Sequence, residues 1–375
     1  MTGAPIVVVE SYPHTYGGSQ AVARLLCAAL RARDVDASLL TTGPGPLVDR
    51  ARADGTRVRQ LAPSPALQRF GRSTTGRHAA RAMLALPRFW WQVRRELRHV
   101  RPSVHVHDHR GMLLVGPAAR WAGCRVVWHV HSVDGRRWLN AVCGRLAHRA
   151  ITPSGSVLGR LAGLPSGLTI DVIPNPIDPR VLELPQATGG DPPLIVSAAR
   201  LHPDKGLDVL LDAVVIARRT VPALHVEVYG APQPGWEQHE HELLERRHAL
   251  ELDDVVTFMG FVDEPQAQWR RATAYVQPSR DRTEVRPLAI LEAMVLGLPV
   301  VATDAGGLAE LVDHERTGLV VPPEDPAALA EALVDVLTDP VRAARLRDGA
   351  ASIRGEVGVA AFATAVQRTH ERAAR

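Results

Sequence analysis

The chain has 375 residues, 46% of them apolar and 22% charged, with a net charge of +4. That length exceeds one ordinary hydrophobic core and suits two domains of roughly 180 residues each. The composition is that of a soluble globular chain, and no apolar run approaches the roughly 18 to 20 residues of a membrane span. Only Ile6 to Val9 stand where a signal peptide needs a longer apolar stretch, so a cytoplasmic location is expected. Cys27, Cys124 and Cys143 show no CxxC spacing and predict reduced thiols, neither a disulfide framework nor a zinc site.

Charge is divided unevenly along the chain. Residues 1–185 hold 25 Arg against 11 acidic residues, a net +14, which leaves −10 for the remainder. The basic half predicts a negative partner, an anionic membrane surface or a phosphorylated acceptor. No helix-turn-helix, finger or RNP-type pattern supports nucleic acid. Of the 44 basic residues one is lysine, Lys205. Among so many arginines, a single lysine marks a place that needs a compact ammonium.

In chain order, Pro5 to Glu10 reads as a buried strand. A loop to Gly18 follows, then a helix with Ala21, Val22, Leu25, Leu26 and Leu30 as its apolar stripe. In this strand, glycine loop and helix, Gly17 and Gly18 allow backbone amides to approach an anion at the helix N-terminus. Further strands are predicted near 36–41, 57–61, 103–107, 125–130 and 169–173, separated mostly by helices, a doubly wound α/β domain. Arg57 to Arg101 carries eleven Arg against the single acid Glu96, interleaved with Phe70, Leu84, Leu86, Phe89, Trp90 and Trp91. That composition fits either a membrane-facing helix or aromatic packing on the sheet with solvated Arg. His105, His107 and His109 alternate as a strand's one face would. A metal site is set aside in favour of His107 and Asp108 marking the strand's end, and no metal is expected. His131 ends the strand Val126 to Val130 and opens a loop through Gly135 at a carboxyl edge. Leu184 to Pro193, rich in Pro and Gly, reads as a linker.

The second domain opens with a strand at 194–199, then Arg200-Leu201-His202-Pro203-Asp204-Lys205-Gly206 before a helix. Strands at 224–229 and 255–261 follow, with Gly230 in a turn between them. Tyr275 to Pro278 is a strand whose turn carries Ser279 to Glu284 to the sheet rim. Pro287 suits a first helical position, and Leu288, Leu291 and Val295 repeat at helical spacing until Gly297. Pro299 to Thr303 completes a βαβ unit, whose turn opens at the carboxyl edge where ligands of parallel sheets bind. Glu284 in that turn and Glu292 about two helical turns on offer carboxylates to hydroxyl groups, which suits a sugar. After Asp304-Ala305-Gly306-Gly307 and Glu310, the chain reads as helical from Pro326 onward.

The stretch E-V-R-P-L-A-I-L-E-A-M, with D-A-G-G-L-A-E-L-V after it and R-L-x-x-x-K-G before it, resembles the retaining family-4 glycosyltransferases, and the resemblance covers essentially the whole chain. It implies the GT-B architecture, two doubly wound Rossmann-like domains facing across a cleft: 1–185 for the acceptor, 186–355 for the nucleotide sugar, and 356–375 as a helix crossing back to the first. The turn Ile173 to Asp178 resembles the family's P-N-G-V-D, with Pro176 in place of its Gly.

The resemblance also implies roles. Glu284 contacts the donor sugar, Glu292 the ribose, Arg200 and Lys205 the diphosphate, and Gly17, Gly18 and Gly230 approach the donor, while His131 faces the reacting sugar. Val285, Arg286, Pro287 and Leu288 line the donor loop. Val285 and Arg286 stand where the family usually has a small and then a large apolar residue. Arg286 is expected to favour a sugar with an extra acceptor group such as a carboxylate. The implied reaction moves a sugar from a nucleotide diphosphate donor to a glycan, lipid-linked or small-molecule acceptor with retention. It needs no cofactor, in cell-envelope glycan or glycolipid synthesis, from the cytoplasm or the inner membrane face. A nucleotide-sugar 2-epimerase and a non-catalytic sugar-nucleotide-binding protein are the alternatives.

Overall fold

The computed structural model describes residues 4–68, 76–133, 136–156, 158–233, 235–280 and 284–374. Phe70, Asp134, Gly135 and the turn residues Asp281, Arg282 and Thr283 lie outside them. Short runs, most of them rich in Val, Ile and Leu, form thirteen strands among the described residues; Val and Ile in particular pack well on a pleat that is covered on both faces away from the sheet edges.

Unit 1 is Met1–Pro176 with Val359–Arg375. Its strands are β1 (Ile6–Glu10), β2 (Ala37–Thr41), β3 (Arg57–Gln60), β4 (Ser103–Val106), β5 (Arg125–His129), β6 (Arg149–Thr152) and β7 (Ile170–Val172). They form one parallel sheet in the order β3-β2-β1-β4-β5-β6-β7. Unit 2, Ile177–Gly358, holds β8 (Leu194–Ala198), β9 (His225–Tyr229), β10 (Val256–Gly260), β11 (Ala274–Gln277), β12 (Val300–Thr303) and β13 (Gly318–Val321). These also run parallel, in the order β10-β9-β8-β11-β12-β13. In each sheet the order reverses between the first strand and its fourth, so the loops after β1 and β4, and after β8 and β11, flank a crevice at the carboxyl edge.

Packing follows from the helix stripes. Ala21 apart, the apolar stripe of the Gly18–Arg31 helix is buried. In unit 2 the Leu207–Ala217 and Pro326–Thr338 helices pack against each other through a shared core containing Leu210, Val214, Leu329 and Leu333. Burying side chains of this size contributes roughly 1.5 to 3 kcal/mol each.

Four local readings change. Strands β6 and β13 were not predicted: each has only four residues, and β6 opens on the charged Arg149. The helix after the Glu284 turn is Leu288–Val295, and Pro287 stands just before it with φ −64 and ψ 133, extended rather than helical. Leu184 to Pro193 is no free linker. The Ala187 amide donates to the Leu296 carbonyl at 2.7 Å and Thr188 to that of Arg270 at 2.9 Å, so the segment is sewn to unit 2. The chain passes between units at 176/177 and 358/359 instead of at 185/186 and 355/356, and the Val359–Ala374 helix belongs to unit 1.

Candidate active site

At the crevice of unit 2, the loop after β8 and the loop after β11 meet. Gly206 makes that approach feasible: its φ is 63, and a Cβ there would lie 2.0 Å from the Pro278 carbonyl oxygen. The turn Pro203–Lys205 ahead of it turns the Lys205 side chain inward, where Nζ forms an ion pair with Glu284 Oε1. The two side chains are only 11% and 9% exposed, so the pair is drawn from water and its geometry is fixed by neighbours. Ser279 Oγ donates to the same Glu284 oxygen at 2.8 Å. Gln277 Nε2 donates to Ser279 Oγ at 2.8 Å, and the Tyr275 hydroxyl donates to Gln277 Oε1 at 2.9 Å. All four side chains from Tyr275 to Glu284 in this relay are buried. A charged pair so enclosed is oriented before any ligand arrives.

Glu284 is also fixed through its backbone. Gly307 donates to the Glu284 carbonyl at 2.8 Å, and Gly306, with φ 62, approaches so closely that a Cβ would lie 2.2 Å from that oxygen. From the other side Arg280 secures the Lys205 loop, its amide donating to the Asp204 carbonyl at 2.8 Å and its guanidinium to Asp208 at 2.5 Å. Ser279, Gln277, Tyr275 and Asp208 were not foreseen as supports. Their signal was the alternation Tyr275, Gln277, Ser279, which puts three polar groups on one face of a buried strand and its continuation.

The remaining predicted residues are distributed around this pair. Arg200 is exposed and bonds Gln233 Oε1 at 2.8 Å. Gly230, with φ 142, lies against the Ala199 carbonyl, where a Cβ would come within 1.8 Å, and so sets the path of the chain into Arg200. Glu292 accepts from Gln266 Nε2 at 2.7 Å, and withdrawal from water pushes its carboxyl up to about 7. Burial above all, and then the charges of Glu292 and Glu284, make the Tyr275 phenol harder to ionise, so that ring sits in the field of both acids. Val285 and Leu288 are buried apolar contacts and Pro287 is half-buried. Arg286 lines a cavity of about 450 Å³ with Asp304, Glu310, His314, Arg316 and Glu356, and burial lowers its affinity for its proton against the attraction of Glu310 and Glu356.

The crevice of unit 1 has a different chemistry. Glu10, at the end of β1, is buried and accepts from the Tyr12 amide at 3.0 Å and Ser19 Oγ at 3.2 Å. Asp108, after β4, accepts from Ser11 Oγ at 2.6 Å and caps the His109–Trp121 helix through the Gly111 amide at 2.7 Å. Burial, and then the nearby Asp108 charge, hold the Glu10 carboxyl well above the usual carboxylate range. Gly17 is extended (φ −159), so glycine is not required there by conformation. Gly17 and Gly18 are exposed, and the first helical turn after them carries no acidic residue, which leaves its amides open to an anion. His131 is half-buried, while His129 is fully enclosed. Burial brings the His131 imidazole down to about 3, so it is a neutral ring at physiological pH, its Nε2 2.9 Å from His107 Nδ1.

The sequence of residues 16–181 matches the family Glycosyltransferase Family 4, and that of 192–339 matches Glycosyl transferases group 1. Among curated relatives, the GDP-mannose-dependent alpha-(1-6)-phosphatidylinositol monomannoside mannosyltransferase of Mycobacterium tuberculosis is 30% identical over 372 residues, covering 90% of each chain. The D-inositol 3-phosphate glycosyltransferase of Jonesia denitrificans is 32% identical over 236 residues, which span 60% of this chain and 54% of that one. Among solved structures, Anabaena HepE in complex with UDP and glucose superposes with a TM-score of 0.83 at 20% identity, covering 99% of this chain and all of that one. That likeness shows the fold, GT-B. With a mannosyltransferase matched along nine-tenths of its length and the two family descriptions falling on the two units, the chain belongs to the family-4 glycosyltransferases.

Proposed function

We propose that this glycosyltransferase moves a sugar, with retention of anomeric configuration, from a nucleotide diphosphate donor held by unit 2 to an acceptor that carries a phosphate. The enclosed Lys205–Glu284 pair carries the reading. An ammonium has three donor positions, and among the described residues Glu284 takes one, which leaves the others to meet diphosphate oxygens, while the second Glu284 oxygen can accept from a sugar hydroxyl. As the diphosphate departs, Lys205 with Arg200 offsets the charge that develops, which is electrostatic stabilisation of the leaving group. Glu292, Gly230 and the amides after Gly17 and Gly18 are assigned to the rest of the donor. His131, neutral and half-buried, is assigned to the reacting sugar.

For the acceptor, the net +14 of residues 1–185, with the inositol 3-phosphate named in one relative and the phosphatidylinositol monomannoside named in the other, supports an anionic headgroup, with GDP-mannose the first donor to try. A membrane-held acceptor is supported by the Gly76–Leu97 helix. Arg77, Arg81, Leu84, Arg88, Trp91 and Arg95 recur at helical spacing and are all exposed, Leu84 at 83% and Trp91 at 52%. Among the described residues no helix is long and apolar enough to cross a membrane, so attachment would be peripheral. The test incubates GDP- and UDP-sugars with phosphatidylinositol, inositol phosphate and neutral acceptors, and reads the product's anomeric proton by NMR. Inversion, or no product on any phosphorylated acceptor, would overturn the proposal, and epimerised donor in the acceptor-free control would replace it by an epimerase.

A further inference from the structure

Unit 1 contains a cluster of buried imidazoles. His105 on β4, His107 just after it and His129 on β5 are at most 1% exposed, and a ring nitrogen from each lies within 4.8 Å of one from each of the others. Two further imidazoles surround them, His131 after β5 and His370 from the Val359–Ala374 helix. Their hydrogen bonds form two chains. In the first, Ser103 Oγ meets His370 Nδ1 at 2.6 Å, His370 Nε2 meets His105 Nδ1 at 2.9 Å, and His105 Nε2 meets His129 Nδ1 at 3.2 Å. In the second, His131 Nε2 meets His107 Nδ1 at 2.9 Å. Each chain ends on a buried nitrogen with no partner among the described residues, Nε2 of His129 and Nε2 of His107.

Such an arrangement is costly as core packing. Each buried polar atom without a partner costs roughly 1 to 3 kcal/mol, and apolar rings of the same shape would avoid it. We propose that His105, His107 and His129 form a structural site for a transition-metal ion of the zinc class. Three imidazoles are the donor set that such ions prefer over magnesium or calcium. Two nitrogens bound to one tetrahedral zinc ion lie about 3.4 Å apart. The present His105 Nε2 to His129 Nδ1 separation of 3.2 Å is close to that, so an ion would replace this hydrogen bond with little movement. His107 Nε2 supplies the third ligand and ceases to be without a partner.

The outer hydrogen bonds of two of the three ligands fit as well. With His105 and His107 binding through Nε2, their Nδ1–H groups donate to His370 and His131, the orientation that outer hydrogen bonds impose on metal-bound histidines. His370 can then donate onward from Nδ1 to Ser103 Oγ. The ion would join β4 and β5 directly and the last helix through His370, so its effect is on the stability of unit 1.

The test uses the full chain, dialysed against chelator, with Co2+ as a spectroscopic probe and Zn2+ as the competing ion. One equivalent of Co2+ should give the intense visible absorption of a tetrahedral site, Zn2+ should displace it, and Zn2+ should raise Tm by several degrees. His107→Gln and His129→Gln should each abolish the absorption, while His241→Gln, at an exposed position, should leave it intact. Should a variant fail to fold, ring nitrogen NMR of the wild type answers the same question, since Zn2+ must shift His105, His107 and His129 ahead of surface histidines. Absence of the absorption in folded wild type, its survival in both buried variants, or shifts confined to surface histidines would overturn the site.

Discussion

The two units place a crevice at the same point of the same strand order and fill it with opposite chemistry. After β8 and β11, unit 2 brings a cation against a carboxylate, Lys205 on Glu284. After β1 and β4, unit 1 brings two carboxylates close, Glu10 and Asp108, and holds one of them above the usual carboxylate range so that it keeps its proton. Topology thus decides where a ligand binds and side chains decide which ligand. The first pair suits a diphosphate and a sugar hydroxyl together. The second suits a hydroxyl.

The sharpest way to break this contrast is to remove the cation. Lys205→Ala should lower kcat/KM by a factor of roughly 30 to 5,000, from about 2 to 5 kcal/mol of lost transition-state binding. Because Glu284 is then left enclosed and unpaired, the fold should lose about 3 kcal/mol as well. Adding Glu284→Gln should return most of the stability and none of the activity. A fall in kcat/KM of less than about tenfold would show that the pair does not hold the donor.

Next in size is the attraction assigned to the basic unit. At about 1 kcal/mol for each cation near an anionic leaflet, Arg81, Arg88 and Arg95 changed together to Gln should weaken binding to anionic vesicles roughly a hundredfold. The loss should shrink as salt is raised. Sedimentation that is equal on neutral vesicles, or unaltered by the three changes, would leave a soluble phosphorylated acceptor.

A smaller loss is expected at Gly306→Ala. The added Cβ must push the Glu284 carbonyl away at a residue with φ 62, so the carboxylate shifts although its own chemistry is intact. Activity should fall by about one order of magnitude with a modest drop in Tm. Unchanged kinetics would mean that the Glu284 backbone position is not critical.

The smallest effect is expected in unit 1. Since Glu10 keeps its proton in the folded state, Glu10→Gln should be nearly silent near neutrality, with kcat/KM within about threefold. Stability should show it instead. A carboxyl whose folded pKa is raised binds more protons folded than unfolded, so its contribution is fully present below pH 4.5 and declines as pH rises toward the folded value. Urea titrations at pH 5 and pH 9 should show the variant losing less stability than wild type over that interval. An equal loss would mean that Glu10 ionises normally.

What the sequence disclosed follows the reach of its signals. Strands β1, β2, β4, β8 and β12 were legible because runs of Val, Ile and Leu bounded by Gly, Pro or polar residues have few alternatives. Lys205 and Glu284 were legible because one stands alone in composition and the other in a dense motif. Contacts across the chain were not. Nothing local pairs Gly206 with Pro278 or Arg280 with Asp208, and the direction of Arg286 toward Glu310 and Glu356 depends on how loops distant in sequence fold back. The alternation of His105 and His107 was visible, but the partners that give it meaning, His129 and His370, come from 24 and 265 residues away.

The discontinuity of unit 1 has a consequence for synthesis. The Val359–Ala374 helix lays Phe362, Ala363, Val366 and His370 into a body whose other parts end at Pro176. The nascent chain therefore makes nearly all of unit 1, then the whole of unit 2, before the piece that closes unit 1 leaves the ribosome. At roughly 5 to 20 residues per second, that interval lasts on the order of 10 to 40 s. The second half should be the first to become protease-resistant during translation, and a chain stopped at Gly358 should keep unit 2 resistant while unit 1 is digested. Early resistance of the first half would mean that its sheet closes without the last helix.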